Sequence, residues 1–223
     1  MKTATRHSPS PRLPFVWLAS YPRSGNTLLR TILWNCFGLQ SGSVYPNDLG
    51  KNRALEETVG HIEHVDGKIN FPPHQQTALV KTHEHARDDR PAIYVVRDGR
   101  SAVVSLWDFY DRSVPLKTLI EGHHQFGTWQ DHLLSWTYSN RPHTLFLRYE
   151  SLTKQGDEAL DRIASFLGHE IITRELPQRS EIADADGRWV RPLSAGHKTT
   201  LEGELLDLFF AINAEGMALA DYR

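Results

Sequence analysis

Apolar positions along the chain fall into two kinds of pattern. Four short unbroken runs, Phe15 to Ala19, Thr77 to Thr82, Ala92 to Val96 and Thr144 to Leu147, have the length of buried strands. Other stretches repeat at three- and four-residue steps and predict helices. In the first, Leu28, Leu29, Ile32, Leu33, Cys36 and Phe37 form a broad apolar face, Arg30, Thr31 and Asn35 fall on the other side, and Gly38 ends the helix. Ser101 to Asp111 predicts a second helix. Thr128 is placed to cap a third that runs to Asn140 with Trp129, His132 and Trp136 on one face. Asp157 to Leu167, stopped by Gly168, predicts another. A last helix is expected from a Thr199 cap with Glu202 three residues on, burying Leu201, Leu205, Leu208, Phe209 and Ile212.

Two segments lack such periodicity. Residues 39–75 are rich in Gly, Pro, Asn and His, carry one short helical pattern around Asn52 to Val59, and are expected to lie over a site as an insertion. Thr173 to His197, with Arg188, Arg191 and Gly196, is expected to be a mobile loop. The order of strands and helices predicts an α/β fold, a mostly parallel central sheet covered by helices on both faces. Residues 13–223 suit one domain, and the polar stretch Met1 to Arg12 is expected to be a disordered arm.

Bulk composition narrows the partners. A formal charge of −2 gives no general attraction to nucleic acid or an acidic membrane, so any basic site has to be local. Cys36, the one cysteine, leaves no disulfide within the chain and suits a reducing compartment. The first residues lack the apolar centre of a signal peptide and no run has the length of a bilayer span, which together point to the cytoplasm. His61 and His64 have metal-compatible spacing, but no companion Cys or carboxylate pattern, and read as solvated loop histidines.

The chemistry concentrates where strands end. Ser20-Tyr21-Pro22-Arg23-Ser24-Gly25-Asn26-Thr27 joins the first strand to the first helix, and a helix that starts this way offers unpaired N–H groups and its positive dipole end to an anion. Against the nucleotide-binding pattern G-x-x-x-x-G-K-[ST], the turn keeps Gly25 and Thr27, has Ser20 for the first Gly and Asn26 for the Lys, and moves its cation to Arg23. The second strand delivers Lys81, His83 and Glu84 to the end where ligands bind in open α/β sheets. Arg97 ends the third strand, and Ser105 can share an anion with it only if the following helix folds back over the strand tip. Trp107, Phe109, Tyr110 and Val114 to His124 read equally as core or as the wall of an acceptor pocket.

Taken together, S-Y-P-R-S-G-N-T at Ser20 to Thr27, K-T-H at Lys81 to His83, R-x₇-S from Arg97 to Ser105 and R-Y-E-S-L at Arg148 to Leu152 resemble the cytosolic-type sulfotransferases, in a small bacterial-like form. The resemblance covers Phe15 to about Leu167. It implies a three-layer P-loop-like fold and sulfuryl transfer from 3′-phosphoadenosine 5′-phosphosulfate (PAPS), with PAP as product, to a hydroxyl or amine of a small molecule, without a metal. By the same resemblance Arg23, Ser24, Gly25, Asn26 and Thr27 wrap the 5′-phosphosulfate and Lys81 contacts the transferring group. His83 is then the general base, Arg97 and Ser105 grip the 3′-phosphate, and Tyr149 lies near the adenine. Arg23 stands where the family usually has Lys, and Leu28 where it often has an adenine-stacking Trp. The family's late R-K-G-x-x-G loop survives only as Arg191 and Gly196, with Pro192 and Leu193 between them. Two other readings share the phosphate turn: a P-loop kinase, which needs the Lys absent at Asn26, and a nucleotide-binding protein without catalysis, which has no use for Lys81 and His83.

Overall fold

The computed structural model describes residues 14–137, 141, 143–185, 187 and 201–222. The chain opens with β1 (Phe15–Ala19), then α1 (Asn26–Phe37), β2 (Gly42–Ser43), α2 (Arg53–Val59), and a two-stranded ribbon of β3 (His64–Val65) and β4 (Lys68–Ile69). Next come β5 (Ala78–Thr82), β6 (Ala92–Val96), α3 (Gly99–Phe109), α4 (Leu116–Ile120) and α5 (Trp129–Thr137). The last stretch holds β7 (Thr144–Arg148), α6 (Tyr149–Lys154), α7 (Gly156–Leu167), α8 (Arg179–Ala185) and α9 (Gly203–Leu219).

The main sheet has the order β2-β5-β1-β6-β7, and every pairing in it is parallel. Its central strands are buried on both faces, which is why they read as unbroken apolar runs. Within each strand the side chains alternate between two cores. Val16, Leu18, Ile93 and Val95 pack with Leu29 and Leu33 of α1 and Leu160 and Ile163 of α7. Ala19, Tyr94 and Val96 pack on the other face with Val103 of α3, Trp129 and Leu133 of α5 and Phe209 of α9. Burial of each large side chain stabilises this arrangement by about 1.5–3 kcal/mol.

The register places the site. Leu18 pairs with Lys81, Ala19 with both Thr82 and Tyr94, and Val96 with Arg148, so β1, β5, β6 and β7 end close to one line. Helix α1 leaves β1 onto one face and α3 leaves β6 onto the other. Their N-termini therefore flank the crevice at the centre of the sheet, where the chain changes direction.

Several expectations are corrected. Arg30 and Thr31 are not on a solvated side of α1: both are fully buried, because residues 39–75 cover that side and β2 joins the edge of the sheet. His61 and His64 are half-buried and tied into the fold, since His61 Nδ1 accepts from Arg30 at 2.7 Å and His64 Nε2 donates to the Ser43 carbonyl at 2.7 Å. Some of the stretch expected to be a mobile loop is helix α8, whose Ile182 packs against Leu49, Leu55 and Val59. Helix α9 starts at Gly203 after Glu202 without a side-chain cap, and Thr199, Arg188, Arg191 and Gly196 lie outside the described residues. Thr128 does cap α5, accepting from the Asp131 N–H at 2.9 Å. Of the described residues, no helix is long and apolar enough to cross a membrane.

Candidate active site

The turn between β1 and α1 is built around two left-handed residues. Arg23 has φ 65°, and Gly25, the last residue before α1, has φ 106°. A Cβ on Gly25 would stand 2.5 Å from Cδ2 of Tyr149, so position 25 needs glycine on both conformational and steric grounds. No side chain caps α1, and no acidic residue lies in its first turn. Its N-terminal amides are thus offered to an anion. Ser24 Oγ is buried, with no hydrogen-bond partner among the described residues. An orphaned hydroxyl of this kind costs about 1–3 kcal/mol unless something fills its place.

Asn26 faces the other way. Its Nδ2 donates to the Leu18 carbonyl at 2.9 Å, which ties the turn to β1. Thr27 lines the cavity, and its carbonyl accepts from Thr31 Oγ1 at 3.0 Å.

Arg97 and Ser105 meet at Arg23. Arg97 Nη1 donates to the Arg23 carbonyl at 3.0 Å, and Arg23 Nε donates to Ser105 Oγ at 3.3 Å. Helix α3 does fold back over the strand tip, and both residues line the same cavity. The Arg97 guanidinium also lies 4.9 Å from the centre of the Tyr149 ring, and that of Arg23 lies 5.0 Å from Phe109. The Arg23 side chain is thus turned towards α3.

Past β5, His83 Nδ1 lies 2.7 Å from the Ser20 carbonyl, which requires Nδ1–H and leaves the Nε2 lone pair as acceptor. Burial pushes the imidazole well below its ordinary pKa, and the nearby Lys81 ammonium adds to this. The ring is neutral near pH 7. Tyr45 stacks on it, with ring centres 6.1 Å apart, and the Tyr45 hydroxyl accepts from the His83 N–H at 3.0 Å while donating to Glu84 at 3.1 Å. Burial and the Glu84 carboxylate raise the tyrosine pKa, so it stays protonated.

Lys81 is buried and ion-paired with Asp48, which also pairs with Arg30 at 2.7 Å. Burial alone would raise the Asp48 carboxyl, but Lys81 and Arg30 overcome it and hold the group at about 2. Burial lowers Lys81 and Asp48 opposes this only incompletely. The two directions are consistent, because one carboxylate serves two cations and the permanently charged Arg30 takes its share. Tyr45 and Asp48 were not legible as site residues. They come from the unpatterned segment after β2, and only the pairing of β2 with β5 brings them beside Lys81.

Arg23, Gly25, Asn26, Thr27, Tyr45, Asp48, Lys81, His83, Arg97, Ser105 and Tyr149 all line one cavity of about 1340 Å³ at the C-terminal ends of the strands. One region is bounded by Leu28, Tyr149, Leu152 and Ile182, the other by Tyr45, Phe109, Tyr110 and Phe126.

The model of the sulfotransferase domain family matches residues 13–182, about three quarters of the chain. The chain belongs to the sulfotransferase family. Human sulfotransferase 2B1 is 25% identical over 211 residues, covering 86% of this chain and 56% of that protein. Mouse sulfotransferase SULT7A1, solved in complex with PAP, is 25% identical with a TM-score of 0.51 over 78% of this chain and 63% of that one. Retinol dehydratase, in complex with androsterone and PAP, shares the fold, with 19% identity and a TM-score of 0.54 over 96% of this chain and 80% of that one. The chain spans about half to three fifths of the curated relatives it matches. Within the sulfotransferase family frame, the four sequence motifs line one crevice. Arg191 lies outside the described residues.

Proposed function

We propose that the protein transfers the sulfuryl group of PAPS to a hydroxyl or amine of a small molecule. The observation that carries this reading is the juxtaposition of an uncapped glycine turn, with the orphaned Ser24 hydroxyl beside it, and the Nε2 face of a neutral His83, across one cavity that Arg97 and Ser105 also line. A 5′-phosphosulfate fits the turn because its oxygens supply what the α1 amides and Ser24 Oγ lack. A 3′-phosphate fits between Arg97 and Ser105. Support also comes from the PAP complex of mouse SULT7A1, a relative of this chain.

PAPS supplies a sulfuryl group on an activated phosphate. The acceptor oxygen or nitrogen bonds to sulfur as the bond from sulfur to the bridging phosphate oxygen breaks, and the electron pair stays on the phosphate. His83 Nε2 takes the acceptor's proton, a role worth roughly 10²–10⁴ in rate. Its Nδ1–H bond to Ser20 holds the ring in the tautomer this requires. Lys81 stabilises charge on the transferring group, and Arg23 on the leaving phosphate, each in the manner of a preorganised cation. Arg23 is a permanent cation and a poor proton donor, so its contribution is electrostatic. Tyr149 and Leu28 bound the place of the base. The second region of the cavity, walled by Tyr45, Phe109, Tyr110 and Phe126, takes an acceptor with an apolar or aromatic body.

Against a kinase, Asn26 directs its amide nitrogen to Leu18 and Ser20 and puts no cation where a third phosphate would sit. The test is calorimetric titration with PAP, followed by incubation with PAPS and a mixed panel of phenols, alcohols and amines. Binding of PAP together with an acceptor that gains one sulfuryl unit by mass spectrometry is the expected result. ATP turnover without PAP binding would overturn the reading.

A further inference from the structure

Among the described residues, the buried ions beneath the cavity are two cations, Arg30 and Lys81, and one anion, Asp48. Arg30 spends its whole fork there. Nη1 donates to Asp48 at 2.7 Å, Nε to Ser41 Oγ at 2.8 Å, and Nη2 to His61 Nδ1 at 2.7 Å. The other Asp48 oxygen accepts from Lys81 Nζ. The side chains of Arg30, Asp48 and Lys81 are 0%, 3% and 4% exposed, so each charge depends on its neighbours and not on water. Arg30 lies behind the wall, whereas Asp48 and Lys81 belong to it together with His83.

We infer that Asp48 is a positioning residue of the transfer site: its carboxylate bridges Arg30 and Lys81 and holds the Lys81 ammonium at the cavity wall beside His83. This rests on the function proposed above. The groups facing Lys81 include Arg30 from α1, Arg23 from the turn before it, Asp48 from the segment after β2, His83 from the tip of β5, and the Tyr45 ring, whose centre is 5.6 Å from Nζ. Asp48 is the anion that ion-pairs with both buried cations. Without it two cations face each other in a buried site, and the one able to release a proton is Lys81. Asp48 thus sets both the place and the charge of the group next to the base.

The experiment compares the wild type with Asp48→Asn and Asp48→Glu. One measurement is the pH profile of kcat and the KM for PAPS. The other is the titration of Lys81 by NMR in protein carrying ¹³C-labelled lysine, assigned through Lys81→Arg, which needs no turnover. In Asp48→Asn, kcat is expected to fall about 10²-fold with little change in the KM for PAPS. The alkaline limb of the profile and the Lys81 midpoint should both move down by about one pH unit or more. Asp48→Glu should restore both. If Asp48→Asn fails to fold, the double variant Arg30→Gln with Asp48→Asn keeps the net charge of the wild type. It should still shift the Lys81 midpoint downwards, by less. Normal transfer with an unmoved Lys81 midpoint overturns the inference alone. A midpoint shifted in Asp48→Asn while the wild type itself transfers nothing overturns the proposed function and shows the charge coupling intact.

Discussion

On one side of the cavity, Pro22, Arg23, Gly25, Asn26 and Thr27 of the turn, with Arg97, Ser105 and Tyr149, form the proposed cradle for an anion. On the other, Tyr45, Asp48, Lys81 and Phe126 make a wall around His83. The cradle uses backbone amides and a glycine in a short contiguous stretch, so its chemistry is local and survives as a motif. The wall is assembled from the segment after β2, the tip of β5 and the chain before α5, and each residue gains its role only from tertiary contact. A cradle of this kind is sensitive to backbone shape. A wall of this kind is sensitive to charge and stacking.

That contrast can be broken most decisively at His83. His83→Ala should lower kcat by roughly 10²–10⁴ while PAP affinity, measured by calorimetry, stays within about threefold; loss of PAP binding with catalysis would merge the two regions. Gly25→Ala should do the reverse. The left-handed φ and the clash with Tyr149 should weaken PAP binding about tenfold to hundredfold, while the titration of His83 followed by NMR is unchanged.

Acid tests the wall through stability. His132 is buried and His83 half-buried, both are neutral, and burial, aided by His85, takes His132 down to about 3. The folded-state pKa is lowered in both, so the unfolded chain binds their protons first. Stability is full above the unfolded value near 6.5 and is lost as pH falls below it, by about 1.4 kcal/mol per pH unit for each such histidine. Asp48 adds to the loss as pH approaches its held value of about 2. Denaturant midpoints measured between pH 7 and 4 should fall steadily, and a flat profile would show that these rings are not buried neutral. The smallest effect is expected from Arg23→Lys. A cation remains at the same left-handed position, so kcat should stay within about tenfold, with the contact to Ser105 altered.

The sequence carries the sheet almost whole. The four apolar runs coincide with β1, β5, β6 and β7 to within one residue, because buried parallel strands write their burial directly into composition. Where it failed, two physical reasons recur. Strands of two residues, such as β2, are too short to show a period, yet β2 is what places Tyr45 and Asp48. Arg30 read as solvated because its helical position lies opposite the apolar face. Nothing in α1 itself records that Ser41, Asp48 and His61 would enclose it. A lone arginine in a good helix looks the same in water and under a cover that arrives later in the chain.

Under the proposed function, the burial of Arg30 bears on how acceptor preference can be re-engineered. Grafting the 39–75 stretch from another member of the family would exchange Tyr45 and the pocket mouth, where variation is wanted. It would also strip a sealed guanidinium of the groups that neutralise and satisfy it. Chimaeras that retain Ser41, Asp48 and His61 while varying the residues between them should fold where wholesale transplants precipitate.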